Sequence, residues 1–344
     1  MNELKPDCLS SILIVLMGAL GDVVRAFCLL DPIKRKYPGC RISWLVEPKC
    51  SALVAAHPIV DKVFVYKRNT GIGSIVRTCR QLSAEHFDVT LDLQRHVKSG
   101  FFSYMSGAPR RIGFNRHNSK EFNWVFNNEH IEYFSDTLPK LMHYLKFIEY
   151  LGIEVDDKLE FGLDRLKFED VSPELSAGIK QPFLALVMGS SWESKNWLSE
   201  GYRNLCRALL TEAEYKEYRL VLLGDRAQAG AAAALEVELN SDRLVNLVNK
   251  TSLIELCAVI KEAKLCIGPD SGPGHIAGAA GVPYIGLYGP TSPQRVAFYG
   301  SEHLAVHSSI GCSPCYRRRC PGLNKLCMRL ISVEAVLEKV SRCQ

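Results

Sequence analysis

Apolar runs of strand length alternate with amphipathic helical periods along nearly the whole chain, and the alternation occurs twice. In the first half, strand-like runs at 12–17, 41–46, 62–66 and 87–93 are each followed by a helical pattern, at 22–37, 51–57, 74–85 and 97–106, and a long helix is expected over 135–151. Between 154 and 181 the apolar period weakens and charges rise, which marks a linker. The pattern then restarts, with strands at 183–188, 219–223, 244–248, 264–267 and 283–288 and helices at 200–211, 227–239 and 252–263. Strand–helix order repeated in this way favours a parallel sheet with helices on both faces. The chain therefore reads as α/β, with one doubly wound Rossmann-like domain over 1–165 and a second over 180–330. Two such domains place a cleft between them, at the carboxyl ends of both sheets.

Three loops at expected strand ends carry most of the chemistry. Gly268-Pro269-Asp270-Ser271-Gly272-Pro273-Gly274-His275 follows an apolar strand and precedes a short helix, 276–281. Such a turn points backbone N–H groups outward at the positive end of a helix dipole, which suits phosphate. Ser271 and Asp270 can cap the helix, Pro273 fits its first turn, and the glycines permit close ligand approach. A loop that only caps a helix is the plainer alternative; an Asp and a titratable His in the same turn favour a ligand. The loop Gly189 to Trp197 offers the hydroxyls of Ser190 and Ser191 and the cation of Lys195, a set fit to clamp phosphate, or else a solvated loop. Trp192 and Trp197 suit either packing or a lid. The opening loop, Gly18-Ala19-Leu20-Gly21-Asp22, presents Asp22 at a helix start. There Asp22 is either a helix cap or a carboxylate able to take a proton from a hydroxyl. The loop lacks the G-x-G-x-x-G spacing of a dinucleotide site.

Together these loops resemble glycosyltransferase family 9, the heptosyltransferases of lipopolysaccharide core synthesis. The resemblance runs through the opening loop, Ser190-Ser191 with Lys195 and Trp197, and Asp270 to Ala277. It continues into Gly281-Val282-Pro283 and Tyr288-Gly289-Pro290-Thr291-Ser292-Pro293. It implies a GT-B architecture whose first domain holds the acceptor and whose second holds a nucleotide-diphosphate sugar, most simply ADP-heptose. It also implies inverting transfer onto a lipopolysaccharide inner-core acceptor with no cofactor required for catalysis. Asp22 would be the general base, its proton affinity raised by burial. Ser190, Ser191, Lys195, Asp270, Ser271, Gly272, Gly274 and His275 would surround the diphosphate, with Lys195 assisting its departure. Gly18, Gly21, Arg95 and Arg110 are the acceptor-side candidates, the arginines suiting an acidic sugar or phosphate. The family's ribose-holding glutamate has no clear equivalent after Gly224; Asp225 and Gln228 are the substitutes at hand. A terminal helix within 331–344 would pack back toward the first domain.

Composition fits this reading without deciding it. The apolar run at 11–21 is too short to span a bilayer and reads as a buried first strand. A net charge of +5 permits attraction to anionic membrane or substrate and does not call for nucleic acid. The expected location is cytoplasmic, with peripheral contact at the inner membrane. Thirteen cysteines, scattered through apolar runs, fit buried thiols in a reducing compartment. Cys312, Cys315, Cys320 and Cys327 stand as C-x2-C-x4-C-x6-C, a spacing open to a structural zinc or to thiols tying down a loop. Arg317-Arg318-Arg319, in the same segment, is either a solvated face or a contact for an anionic lipid or acceptor. Competing classes are an NAD-linked oxidoreductase, a nucleotide-sugar epimerase and a non-catalytic carbohydrate- or metal-binding protein.

Overall fold

A strand buried on both faces reads as an unbroken apolar run. Ser11–Val15 is such a strand, with every residue buried. In the computed structural model, which describes residues 9–166 and 181–343, it is the centre of the first of two sheets. The first sheet comprises β1 (Ser11–Val15), β2 (Arg41–Val46), β3 (Lys62–Val65), β4 (Val89–Asp92), β5 (Arg110–Gly113) and β6 (Glu129–His130). Its order is β3-β2-β1-β4-β5-β6, parallel throughout. The second comprises β7 (Phe183–Val187), β8 (Arg219–Leu223), β9 (Leu244–Asn246), β10 (Leu265–Pro269), β11 (Tyr284–Tyr288) and β12 (Val306–His307). Its order, β12-β11-β10-β7-β8-β9, is the same topology repeated. The chain divides into two compact units, Met1–Lys167 and Phe168–Gln344, and the linker residues 167–180 lie outside the described residues.

In each sheet the order reverses direction at the first strand, between β1 and β4 and again between β7 and β10. Connections leave toward opposite edges there, so the loops at the carboxyl ends stand apart and leave room for ligand. All three chemistry-bearing loops follow strands of these two pairs.

Two expected helices differ in extent, each at a proline. The 22–37 stretch is Leu20–Ala26, a 3-10 turn Phe27–Leu29, and a further helix Leu30–Lys36. Pro32 has no N–H to give the carbonyl four residues back, so one continuous helix cannot run through it. The later helix begins at Lys140, not at 135, because Pro139 precedes it and disfavours helical backbone at Leu138. Strands β5, β6 and β12 were not expected; they are short and carry charged or polar residues, so no apolar run announces them.

The terminal helix joins the core of the second unit. Val333–Ser341, capped by Ser332 Oγ accepting from the Ala335 N–H, buries Val336 and Val340 in the core of the second unit. That core also takes Leu205, Leu222, Ile285 and Ile331. The helix's apolar stripe is thus covered within its own unit. Among the described residues, no helix is long and apolar enough to cross a membrane.

Val336→Asp should therefore destabilise the second unit by about 3 kcal/mol or more, since it buries a charge with no partner. Chemical denaturation reads this directly. An unchanged unfolding free energy would mean that the helix does not complete this core.

Candidate active site

In the first unit, the loop after β1 leads straight into the helix Leu20–Ala26, whose N-cap is Ala19. Asp22 is consequently the third helical residue and not the cap, and its backbone N–H is already bonded to the Ala19 carbonyl at 3.0 Å. The carboxylate itself accepts a hydrogen bond from the Ala19 backbone. Arg25 Nη1 lies 2.8 Å from Asp22 Oδ1 and Lys140 Nζ lies 3.6 Å away, while the Asp22 side chain remains 24% exposed. The Tyr144 hydroxyl also bonds Asp22. Lys140 and Tyr144 stand four residues apart on the helix Lys140–Tyr150, hence on one face of it. Burial pushes the Asp22 carboxyl up, but Lys140, Arg25 and the tyrosine outweigh it, so the group sits below the ordinary carboxylate range. That reverses the expected rise in proton affinity.

The loop after β4 completes this cluster. Gln94 accepts from the Met17 N–H at 3.1 Å and donates to the Gly18 carbonyl at 3.4 Å, tying the two switch-point loops together. Behind Gln94, the fully buried Asp92 accepts from Asn123 Nδ2 at 2.6 Å and Asn127 Nδ2 at 3.2 Å. Burial pushes the Asp92 carboxyl up to about 6 despite those hydrogen bonds. Arg95 packs over Phe114 and Phe134, with Asp136 at 3.2 Å and His143 Nδ1 at 3.0 Å from its nitrogens. Its charge is felt at Tyr144, which joins it to the Asp22 cluster. A Cβ on Gly18 would meet nothing within 4 Å, so this glycine faces open space, whereas Gly21 is buried inside the helix. Arg110 is not brought here. It opens β5, in register with Val89 at the amino end of β4, and forms a two-pronged pair with Glu129 at 2.8 Å for both bonds.

In the second unit, the loop after β7 meets the loop after β10. Lys195 Nζ lies 2.7 Å from Asp270 Oδ2, and both side chains are largely buried. His275 Nε2 stands 3.9 Å from the other oxygen of Asp270 and packs edge-on against Phe298. Ser271 is the N-cap of the helix Gly272–Ala279, with Pro273 in its first turn, but no side-chain cap bond forms. Ser190 Oγ closes its own loop, donating to the Trp192 carbonyl at 2.9 Å, while Ser191 is exposed. The two tryptophans separate in role. Trp197 is buried, donates to the Ile331 carbonyl at 3.2 Å and packs on Tyr202, whereas the ring of Trp192 carries Lys195 at 4.3 Å from its centre.

The glycines of these loops serve packing more than ligand approach. A Cβ on Gly274 would come within 2.4 Å of the Phe298 ring, and one on Gly189 within 2.5 Å of the Gln228 carboxamide. Gln228 and Asp225 are themselves bound in a reciprocal cap, Asp225 N–H to Gln228 Oε1 at 3.1 Å and Ala227 N–H to Asp225 Oδ1 at 2.8 Å. They are occupied as a helix start, so neither stands as a ready ribose ligand.

The cysteines fall into two groups. Cys28, Cys40, Cys50, Cys79, Cys206, Cys257 and Cys266 are buried core thiols. Cys312, Cys315, Cys320 and Cys327 lie near enough that the first three raise the Cys327 thiol, after burial itself. Cys320 accepts backbone N–H bonds from Lys325, Gly322 and Leu323, which hold it below the usual thiol range. Yet among the described residues no three His, Cys, Asp or Glu side chains are gathered so as to hold a metal ion. Cys312 is exposed while Cys327 is buried.

One switch-point site is thus built on a carboxylate among cations and the other on a largely buried Lys–Asp pair at a helix start. Glycosyltransferase family 9 (heptosyltransferase) matches residues 75–325. The chain belongs to this family. It is thus an enzyme, a glycosyltransferase. The lipopolysaccharide core heptosyltransferase OpsX of Haemophilus influenzae is 29% identical over 296 residues, covering 85% of this chain and 82% of that protein. Lipopolysaccharide heptosyltransferase 1 of Pseudomonas aeruginosa is 25% identical over 329 residues, covering 90% and 87%. The solved Escherichia coli heptosyltransferase WaaC with ADP superposes with a TM-score of 0.78 at 18% identity, over 97% of this chain and all of that one. That last likeness is one of fold, and the fold is GT-B.

Because the folded pKa of Asp22 lies below its unfolded value, near 3.9, its ion pairs stabilise the transferase above that pH. The contribution is lost as pH falls through the folded pKa. Lys140→Met should move the Asp22 carboxyl titration to higher pH, as followed by carbon NMR of labelled aspartate. A titration that does not move would remove Lys140 from this electrostatic set.

Proposed function

We propose that this transferase moves a heptose from ADP-heptose onto a lipopolysaccharide inner-core acceptor with inversion at the anomeric carbon. The observation that carries this reading is the buried Lys195 beside Asp270, at the start of the helix Gly272–Ala279. A departing diphosphate needs positive charge that is already in place, and a lysine with a helix N-terminus supplies it without a divalent cation. The choice of ADP and heptose is supported by the solved Escherichia coli WaaC complexes with ADP and with ADP-2-deoxy-2-fluoro heptose. The choice of acceptor follows the names of the Haemophilus and Pseudomonas relatives.

On this reading the acceptor hydroxyl loses its proton to Asp22 as its oxygen bonds to the anomeric carbon. The bond from that carbon to the diphosphate breaks, and its electron pair leaves with ADP. Asp22, held ionised by Lys140 and Arg25, is always ready to accept but is a weak base. It therefore takes the proton late, when the forming bond has made the hydroxyl acidic. Arg95 would contact an acidic group of the acceptor, and Lys195, with His275 beside Asp270, would meet the departing charge. A cytoplasmic location with peripheral contact at an anionic membrane belongs to the same proposal.

Asp22→Asn should lower kcat by ~10²–10⁴-fold in steady-state assays containing EDTA, the usual worth of a general base, with ADP affinity intact. Undiminished turnover would remove Asp22 from the chemistry. Lys195→Ala should weaken ADP binding and slow transfer together. Calorimetry that found ADP bound as tightly as before would refute the clamp.

A further inference from the structure

The cysteine-bearing segment 312–327 lies directly on the loop that presents Lys195. Ser194, buried in that loop, donates its backbone N–H to the Arg318 carbonyl at 3.2 Å and its hydroxyl to the Arg317 carbonyl at 2.5 Å. Lys325 Nζ pairs with Glu193 Oε1 at 3.1 Å. On its other side the segment is anchored by the Tyr316 N–H bonded to the Pro290 carbonyl at 2.8 Å. These contacts place the Arg318 guanidinium 5.8 Å from the centre of the Trp192 ring, the same ring that carries Lys195 Nζ at 4.3 Å.

Charge makes this juxtaposition informative. Lys195 is already paired with Asp270, and a helix N-terminus offers only about half an elementary charge. A nucleoside diphosphate carries more negative charge than that remainder. Arg318 is exposed, and among the described residues no carboxylate pairs with it. Two like charges drawn to one indole repel each other, and a bound anion relieves the repulsion. We propose that Arg318 is a second cation for the donor diphosphate, and that segment 312–327 forms part of the donor site. The inference rests on the donor reading given above. Arg317 and Arg319 carry the same charge in the same segment without touching Trp192, which makes them internal controls.

The test is calorimetric titration of the full-length chain with ADP. Arg318 meets the donor loop through its main-chain carbonyl, so Arg318→Ala removes the cation and keeps the clasp. That variant should bind ADP about tenfold more weakly, the worth of one charge-assisted hydrogen bond. Arg318→Lys should recover part of the loss, and Arg319→Ala should stay within about twofold of the unaltered chain. ADP affinity unchanged in Arg318→Ala overturns the proposal, as does an equal loss in Arg319→Ala, which would report only the general field. If the unaltered chain binds no ADP, the donor reading itself fails and this inference falls with it.

Discussion

Strand order governs everything else in this molecule. In a wholly parallel sheet every strand is followed by a crossover, and each crossover must land beside its predecessor with one handedness. The only place where successive crossovers part is the point at which the order reverses, and both sheets reverse at their first strand. The loops after β1 and β4, and after β7 and β10, therefore end beside one another. Gln94 bridging to Gly18 in one unit and Lys195 bridging to Asp270 in the other are the same topological opportunity met by different chemistry.

The two sites also answer the problem of charge burial in opposite ways. In the first, a partly exposed carboxylate is surrounded by Arg25, Lys140 and a tyrosine, so the local balance favours anions and the carboxylate stays ionised. In the second, one lysine and one aspartate neutralise each other under cover, a pair whose desolvation cost is tolerable only because the contact is as short as 2.7 Å. One doubly wound topology, used twice, supplies both electrostatic settings.

Much of this was legible in the sequence because the signals were local. Unbroken apolar runs mark β1, β7 and β10, and a strand that dissolves into glycine before a helix marks the turn at Asp270 to His275. What escaped reading depends on distant partners. Lys140 and Tyr144 share a helix face, but nothing near them names the carboxylate they meet. Asp92 sits at the end of an apolar strand, where an acid looks like an interruption until Asn123 and Asn127 arrive from elsewhere in the chain. Arg110 misled for the converse reason, since its charge is visible while its place at the amino end of β5 is not. Gly274 was read as an opening for a ligand, and its space is taken by Phe298. The short strands β5, β6 and β12 carry no apolar signature and are recruited by the edges of sheets already formed.

Because the final helix seals the same half that it follows, the second unit carries its own closing piece. Severing the chain at the linker would then leave the stripe of that last helix covered, because its partners Leu205, Leu222 and Ile285 travel with it.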